Sequence, residues 1–235
     1  EEIVFYINSS KSVAALTLDQ FYPKFEAIGD RISLRLLIIA GIDDGLRGIK
    51  KPAYRLTKGR GIKRVKTGGR VIRWRDLLKN GRAYTGNYAA QRRGGDLAVI
   101  LYSGGTTGTT KGILLTNLNF NALAFQTAAA GNCIVPGHVM LAIMPVFHGF
   151  GLGVCIHTMF ISGVSGVLVP QFSVASYADL LKKHRPHYIA GVPTLYEALL
   201  RIDKLDGLDM SQLEGVFSGG DSLSIELKRK VDAFL

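Results

Sequence analysis

The sequence has little cysteine and shows no signal peptide. Cys133 and Cys155 are its two cysteines among 235 residues, and they form no CxxC pair. Isolated cysteines are typical of a reduced compartment, so we expect a cytoplasmic protein. The chain starts at Glu1 with neither an initiator methionine nor a basic n-region. It stops at Leu235 within a helical pattern. From these two ends we expect the chain to be a piece of a longer protein.

Charged residues are absent from positions 112–178, which contain no Asp, Glu, Lys or Arg. A run of this length is long enough to contain a membrane-spanning helix. It is interrupted, however, by Pro136, Pro145 and Pro170 and by glycines at 137, 149, 151, 153, 163 and 166. These breaks divide the run into pieces of the length of single strands and helices. We therefore expect buried α/β layers here and no membrane span.

Acidic residues are missing from positions 50–75, which contain eleven of the 29 Lys and Arg side chains. The other 18 basic residues balance the 18 acidic ones, so the net charge of +11 is local to this stretch. Such a basic loop fits an anionic membrane surface, with an ordinary solvated loop as the alternative. No nucleic-acid-binding motif lies nearby, so nucleic acid is disfavoured as a partner.

Short apolar runs alternate with helical patterns along the chain. The predicted strands are 2–8, 12–18, 33–40, 97–101, 113–116, 138–144, 187–190 and 216–218. The predicted helices are 19–28, 75–80, a short helix that residues 179–183 close, and 193–201. A further helix is predicted for the apolar run that ends at position 130, with Asn117 or Asn119 as its N-cap. This alternation predicts an α/β fold with layered, mostly parallel sheets flanked by helices. We expect two segments, 1–95 with the basic loop 50–75, and 96–235.

Residues 102–112 read Tyr-Ser-Gly-Gly-Thr-Thr-Gly-Thr-Thr-Lys-Gly and lie between two predicted strands. The glycines let backbone N–H groups approach an anion, the hydroxyls add donors, and Lys111 adds a positive charge. The segment therefore predicts a polyphosphate-binding loop, with a plain hairpin turn as the alternative. It is not a Walker loop, because Thr110 precedes Lys111 and Gly112 follows it. Nor is it the dinucleotide fingerprint, which begins a helix, whereas this loop runs into a strand.

Two later segments follow the ends of predicted strands, where ligands gather in open α/β sheets. His148 lies in Pro-Val-Phe-His-Gly-Phe-Gly, and by itself it is more often a hydrogen-bonded structural histidine. The glycines at 149, 151 and 153 leave room either for an acyl chain or for close helix packing. Residues 218–223 read Ser-Gly-Gly-Asp-Ser-Leu. Their structural alternative is a strand-to-helix turn with Asp221 or Ser222 as N-cap.

Together these segments resemble the AMP-forming acyl-CoA synthetase (adenylate-forming) superfamily. The usual phosphate loop of that family is Tyr-Thr-Ser-Gly-Thr-Thr-Gly-x-Pro-Lys-Gly, and this chain has Ser103 for Thr, Gly104 for Ser and Thr110 for Pro. The Gly-Gly-Thr-Thr-Gly version is most similar to bacterial long-chain fatty acid–CoA ligases. The block around His148, a Val-Pro-Thr block at 192–194 and the block 218–223 follow in the family's order. The resemblance covers residues 96–235 well and the first 95 residues weakly.

The resemblance implies an ATP-dependent ligase that activates a long-chain fatty acid as its acyl-adenylate and passes the acyl group to CoA. It assigns catalysis to His148 and Lys111, and it makes Ser103 a neighbour of Mg²⁺. It assigns nucleotide binding to Ser103, Gly104, Gly105, Thr106, Thr107, Gly108, Thr109, Thr110, Lys111, Gly219, Gly220 and Asp221. The implied partners are ATP, the fatty acid and CoA, whose phosphates are a further candidate for the basic loop.

Three parts of the family's pattern do not occur in this sequence. They are a Gly-x-x-Thr-Glu block whose glutamate helps to hold Mg²⁺, a Tyr-x-Thr-Gly-Asp block that binds ribose, and a mobile C-terminal domain with its lysine. We therefore expect an internal fragment of the large N-terminal domain that is inactive by itself. Two other functions stay open: an adenylation domain that loads a carrier protein, and a non-catalytic module that binds nucleotide or a lipid surface.

Overall fold

The computed structural model describes residues 1–103, 110–170, 172–202 and 208–234. The chain forms two compact units, Glu1–Ala90 and Gln91–Leu235. Each unit contains a parallel sheet, and the second also contains an antiparallel hairpin. The predicted α/β fold with mostly parallel sheets flanked by helices is confirmed.

The first unit is built on a three-stranded parallel sheet. Its strands, in spatial order, are β1 (Ala14–Leu18), β2 (Leu36–Ala40) and β3 (Val71–Arg73). Its α-helices, in chain order, are α1 (Glu2–Ser9), α2 (Tyr22–Ile28), α3 (Lys50–Leu56) and α4 (Trp74–Arg82). Its buried apolar core consists of Ile7, Tyr22, Phe25, Ile32, Leu34, Leu37, Ile39 and Val65.

Some predictions for the first unit are wrong. Residues 2–8 form helix α1 instead of a strand, because Ile3, Val4 and Ile7 pack together against the core from one helical face. A short apolar run does not by itself distinguish a strand from a helix. Residues 50–75 are not one loop, since they contain α3 and β3. Helix α4 also continues past position 80, where the prediction ended it, to Arg82.

The second unit begins with a two-stranded antiparallel hairpin. Its strands are β4 (Leu97–Ser103) and β5 (Lys111–Thr116), which confirms the strands predicted on both sides of the Gly/Thr-rich segment. Ser103 pairs with Lys111 and Tyr102 with Gly112. The predicted phosphate loop therefore starts and ends at one end of this hairpin.

The main sheet of the second unit has four parallel strands in the spatial order β7-β6-β8-β9. They are β6 (Val139–Ala142), β7 (Ser165–Leu168), β8 (Tyr188–Gly191) and β9 (Gly215–Ser218). The described α-helices of this unit are α5 (Asn117–Gly131), α6 (Thr158–Ser162), α7 (Val174–His184), α8 (Pro193–Leu200) and α9 (Ile225–Phe234). A π-helical segment, Gly151–His157, leads directly into α6.

Both faces of the main sheet are covered by apolar side chains. Leu141 packs among side chains of α7 and α8, whereas its neighbours Met140 and Ala142 pack against the π-helical segment and α6. Successive side chains of a strand point to opposite faces, so β6 is buried on both. This burial accounts for the absence of charged residues from β6. Throughout the described ranges, every helix is too short or too polar to span a bilayer.

Two helix starts differ from the prediction because hydroxyl side chains cap them. The N-cap of α5 is Thr116, not Asn117 or Asn119. Thr116 Oγ1 accepts from the N–H of Asn119 (3.2 Å), and Asn119 Oδ1 accepts from the N–H of Thr116 (2.9 Å). Helix α7 begins at Val174, a start that the prediction did not give, because Ser173 Oγ accepts from the N–H of Ser176 (3.2 Å).

Candidate functional site

The hairpin holds both ends of the predicted phosphate loop. Ser103 ends β4 directly opposite Lys111, which begins β5. The Lys111 side chain is exposed and makes no ion pair with any described residue, and Thr110 beside it is half-buried. The other predicted loop residues lie outside the described residues: Gly104, Gly105, Thr106, Thr107, Gly108 and Thr109. A cation without an ion-pair partner among the described residues therefore stands where the chain re-enters the hairpin.

His148 lies in a turn directly after β6. Its N–H donates to Pro145 O (3.1 Å), and its Nδ1 accepts from the N–H of Phe150 (3.2 Å). Because Nδ1 accepts this hydrogen bond, a neutral His148 carries its proton on Nε2. The side chain is exposed, so it is not a buried structural histidine. The turn orients the imidazole and leaves Nε2 as a donor for a ligand.

Gly219 and Gly220 form the turn that follows β9. Gly220 has a φ of +82°, in the left-handed region that favours glycine. The N–H of Gly219 donates to Gly191 O (3.2 Å) at the end of β8. A Cβ on Gly219 would lie 3.2 Å from Phe150 Cε2, so this backbone packs closely against the aromatic ring. The ends of β8 and β9 therefore meet the turn that carries His148.

Asp221 is exposed next to this glycine pair, and its Oδ1 accepts from the N–H of Ser222 (2.7 Å). Neither residue caps the following helix. Ser224 Oγ accepts from the N–H of Leu227 (3.1 Å), and α9 begins at Ile225. The structural alternative with Asp221 or Ser222 as N-cap is therefore wrong.

The candidate segments converge at one edge of the main sheet. The strands are parallel, so the turns after β6, β8 and β9 all leave from the same edge. Leu101 brings the hairpin to this edge, because it packs against Gly149. Its Cδ1 is 3.3 Å from the position that a Cβ on Gly149 would take. Contacts of Leu101 with Gly149 and of Phe150 with Gly219 thus link the phosphate-loop hairpin, the His148 turn and the glycine pair.

A cavity of about 750 Å³ opens at the same edge, beyond the ends of β6, β7 and β8. It is lined by Ala142, Ile143, Met144, Pro145, Val146, Phe147, Leu168, Val169, Pro170, Phe172, Val192, Thr194 and Leu195. Of these described residues, Thr194 alone has a polar side chain. The volume lies within the range of small-molecule sites, and the lining suits an apolar ligand.

The alternating glycines serve close packing rather than the cavity. A Cβ on Gly151 would lie 2.1 Å from Pro145 O, and one on Gly153 would lie 2.4 Å from Leu123 Cδ2. The positions 149, 151 and 153 are not among the cavity-lining residues. Of the two interpretations of these glycines, the structure favours close packing. The absent side chains bring the turn and the π-helical segment close to their neighbours.

Neither cysteine of the second unit is suited to act as a nucleophile. Burial raises the pKa of the Cys155 thiol to about 11. Burial, together with the charge of Glu214, also raises the pKa of Cys133. The thiolate is the reactive form, so both side chains are mostly inert thiols at neutral pH. Acyl transfer through a cysteine of this chain is therefore disfavoured.

The described residues do not form a metal site by themselves. They contain no group of three or more His, Cys, Asp or Glu side chains placed to hold an ion. Mg²⁺ in nucleotide sites is usually held by one or two carboxylates together with substrate phosphates. The Ser103 hydroxyl supplies no charge, so it does not make such a site without carboxylates. The described residues therefore do not fit Mg²⁺ as a complete set of ligands.

Sequence reasoning missed most of the cavity lining. Met144, Phe172 and Leu195 come from three different strand–helix connections, and each reads as an ordinary core residue. The exceptions belong to two blocks of the resemblance: Pro145, Val146 and Phe147 precede His148, and Val192 and Thr194 belong to the Val-Pro-Thr block. The available signal was the predicted parallel order, because it places strand ends at one edge.

The chain is similar to a family of enzymes and to several characterised ligases. A family model described as "AMP-binding enzyme" matches residues 1–235. The long-chain-fatty-acid–CoA ligase of Bacillus subtilis is 34% identical over 138 residues, which are 58% of this chain and 25% of that protein. 4-Coumarate–CoA ligase 3 of Arabidopsis thaliana is 30% identical over 138 residues, 57% of this chain and 25% of that protein. The chain thus spans about a quarter of the length of these relatives.

Solved structures share the fold over nearly the whole chain. The anthranilate CoA ligase AuaEII in complex with anthranoyl-AMP matches with a TM-score of 0.76 at 20% identity, over 99% of this chain and 40% of that chain. ATP-bound MatB from Rhodopseudomonas palustris matches with a TM-score of 0.70 at 23% identity, over the same shares of the two chains. Likeness at these identities establishes the architecture alone.

Proposed function

The chain belongs to the AMP-binding enzyme family, and on this premise we propose that the protein with this sequence activates a carboxylic acid with ATP. A carboxylate oxygen attacks the α-phosphorus, the bond to the β-phosphate oxygen breaks, and pyrophosphate leaves. The CoA thiolate then attacks the acyl carbonyl carbon, and AMP leaves. The observation that carries the proposal is the convergence of the loop ends, the His148 turn and the glycine pair beside an apolar cavity.

Each candidate segment has a role in this proposal. Residues 103–111 hold the β- and γ-phosphates, with Lys111 opposite the charge that develops on pyrophosphate. Gly219, Gly220 and Asp221 contact the adenine through the turn after β9. His148 donates from Nε2 to the acyl or phosphate oxygen, since its Nδ1 already accepts from the backbone of Phe150. The turns that carry His148 and the glycine pair follow β6 and β9, which end at the same edge of the main sheet.

The participation of Mg²⁺ in the reaction remains a prediction. The ion would neutralise charge on the phosphates when bound, and ATP phosphates are themselves ligands that Mg²⁺ prefers. Because the described residues do not form a complete site for it, no step of the reaction is assigned to the ion. Ser103 remains the predicted neighbour.

We assign the acyl group to the cavity of about 750 Å³. An aliphatic chain suits a lining whose described side chains are apolar apart from Thr194. An acid with polar ring substituents would leave its hydroxyls without partners there, which costs binding free energy. This favours a long-chain fatty acid as substrate. The curated relatives include both a long-chain-fatty-acid–CoA ligase and a 4-coumarate–CoA ligase, so the acid must be determined by experiment.

Narrowing the cavity should change selectivity for chain length. In a Val169→Phe variant, the larger ring occupies part of the space beyond β7, so we expect KM for a long-chain acid to rise about tenfold. KM for ATP and the rate with a short acid should stay near wild type. Val135→Phe is the matched control, because Val135 is exposed and does not line the cavity. An equal rise in KM for all acids would contradict the assignment of the cavity to the acyl chain.

The direct test of the proposed function is pyrophosphate release by the full-length protein with ATP and a series of acids. Acid-dependent release, with acyl-CoA appearing when CoA is added, is the expected result. Acylation of a carrier protein in place of CoA would favour the adenylation-domain alternative. ATP binding without release would favour a non-catalytic module. Residues 1–235 alone are expected to give no acyl-CoA, because the ribose- and metal-binding blocks of the resemblance are not among them.

The cellular location of the protein and the partner of its basic segment remain predictions. A cytoplasmic location rests on the two isolated cysteines. Contact with an anionic surface or with CoA phosphates rests on the cluster of cations in residues 50–75.

A further inference from the structure

Helix α3 in the first unit turns its apolar side chains towards solvent. Ile49, its N-cap, is 82% exposed and Leu56, its last residue, is 77% exposed. Two more exposed apolar residues lie between them at helical spacing i+3 and i+4. We call these four residues the apolar stripe: Ile49, Pro52, Ala53 and Leu56. This spacing places all four on one face of the helix.

The opposite face of α3 is anchored by charge. Arg55 Nε donates to Asp43 Oδ2 (2.7 Å), and Lys51 Nζ lies 3.9 Å from the same oxygen. Tyr54 is half-buried against the backbone of Gly59, whose N–H donates to Tyr54 O (2.8 Å). A surface helix of a soluble domain normally shows the reverse arrangement, with its apolar face inward. These contacts therefore fix the helix with its apolar stripe outward.

Exposed basic side chains lie in helix α3 and in the segment that follows it. Five exposed basic side chains make no ion pair with any residue that the structure describes: Lys50, Lys58, Arg60, Arg64 and Lys66. The exposed Lys63 is different, because its Nζ pairs with Glu26 Oε2 at 2.8 Å. No acidic residue occurs anywhere in positions 50–75. The segment that contains the stripe therefore combines exposed apolar side chains with an excess of exposed positive charge.

We propose that the apolar stripe and these five cations form a docking surface for an anionic lipid membrane. The stripe enters the boundary between headgroups and acyl chains, and the cations contact lipid phosphates. Helices that lie in a membrane interface combine these two features. Nucleic acid would use the cations through its phosphates but would leave Ile49 and Leu56 in water. The proposal is independent of the chemistry assigned to the second unit.

The experiment measures sedimentation of the full-length protein with vesicles of phosphatidylcholine, with and without one quarter phosphatidylglycerol. We expect binding to the anionic vesicles alone. Ile49→Ser/Leu56→Ser should weaken the partition coefficient about tenfold or more, since two aliphatic side chains no longer enter the membrane. Lys58→Gln/Arg60→Gln should weaken it about 25-fold, because each basic residue near an anionic surface contributes about 1 kcal/mol, or roughly fivefold.

Matched variants control for changes elsewhere on the surface. Leu78→Ser removes an exposed leucine of α4, and Lys182→Gln/Lys183→Gln removes two exposed cations of α7. Both controls should bind vesicles within about twofold of wild type. Raising the salt from about 0.1 M to about 0.5 M should weaken wild-type binding strongly, since screening shortens the reach of the cations.

Several results would overturn the docking surface. Equal binding to neutral and anionic vesicles would remove the role of the cations, and unchanged binding by the stripe variant would remove that of the stripe. A stripe variant with a much lower unfolding midpoint would mean that another part of the protein covers Ile49 and Leu56. Tight binding to an RNA homopolymer, lost in the cation variant and unchanged in the stripe variant, would assign the surface to nucleic acid. Pyrophosphate release with a soluble short acid should be unchanged in all these variants, which separates this test from that of the proposed function.

Discussion

Replacing Lys111 by alanine is expected to slow acyl-adenylate formation about 100- to 1000-fold while leaving the fold intact. The ammonium stands at the start of β5, directly opposite Ser103, and makes no ion pair with the described residues. A preorganised cation facing charge on the departing pyrophosphate contributes about 2.7–4 kcal/mol to transition-state stabilisation. An exposed side chain without partners contributes little to folding, so the free energy of unfolding should change by less than about 0.5 kcal/mol. Single-turnover measurement of pyrophosphate release and urea denaturation check the two expectations.

Lys182→Ala is the matched control, because Lys182 is also an exposed lysine of the second unit without an ion pair among described residues. It should leave both quantities at their wild-type values. If Lys111→Ala unfolds the protein, Lys111 belongs to a structural ion pair. If the variant is fully active, the loop backbone and hydroxyls bind the phosphates unaided. Either outcome contradicts the role proposed for this side chain.

Replacing Gly151 by alanine is expected to destabilise the second unit by about 3 kcal/mol or more, an overpacking effect at the upper end of the usual range. The new Cβ would stand 2.1 Å from Pro145 O and 2.9 Å from Met144 O, both of them backbone atoms. Pro145 O also accepts the hydrogen bond from the N–H of His148 (3.1 Å), so relief of the clash must displace the turn that carries this imidazole. Activity of the remaining folded protein should fall about 100-fold, as expected for a displacement of about 1 Å.

Gly95→Ala is the control for the change from glycine to alanine. A Cβ on Gly95 would meet no atom within 4 Å, and its φ is not among the positive values. This variant should be as stable as wild type or more stable by up to about 1 kcal/mol, because alanine restricts the unfolded chain. Urea denaturation of both variants measures the difference. A Gly151→Ala protein that matches Gly95→Ala in stability would show that the turn relaxes freely, contrary to the packing described.

Local patterns in the sequence were sufficient for the two hairpin strands and for β6, β8 and β9, but they missed β7, whose end lines the cavity. The apolar runs beside the Gly/Thr-rich segment predicted β4 and β5, and the parallel arrangement of the main sheet followed from alternating strands and helices. These features depend on side-chain alternation and on turn residues within a few positions, so a single chain segment contains the information. The same patterns placed His148 and Gly219 at strand ends, where parallel pairing brings them to one edge.

Tertiary contacts decided the features that local patterns leave ambiguous. Residues 2–8 became a helix because the core of the first unit covers Ile3, Val4 and Ile7 on one helical face. The role of Gly151 in packing depends on Pro145 O, and the outward apolar face of α3 goes with the ion pair between Arg55 and Asp43 on another face of the helix. The cavity exists because three strand ends from separate parts of the chain meet. Such contacts join residues far apart in sequence, so their formation depends on the packed fold and is not contained in any one segment.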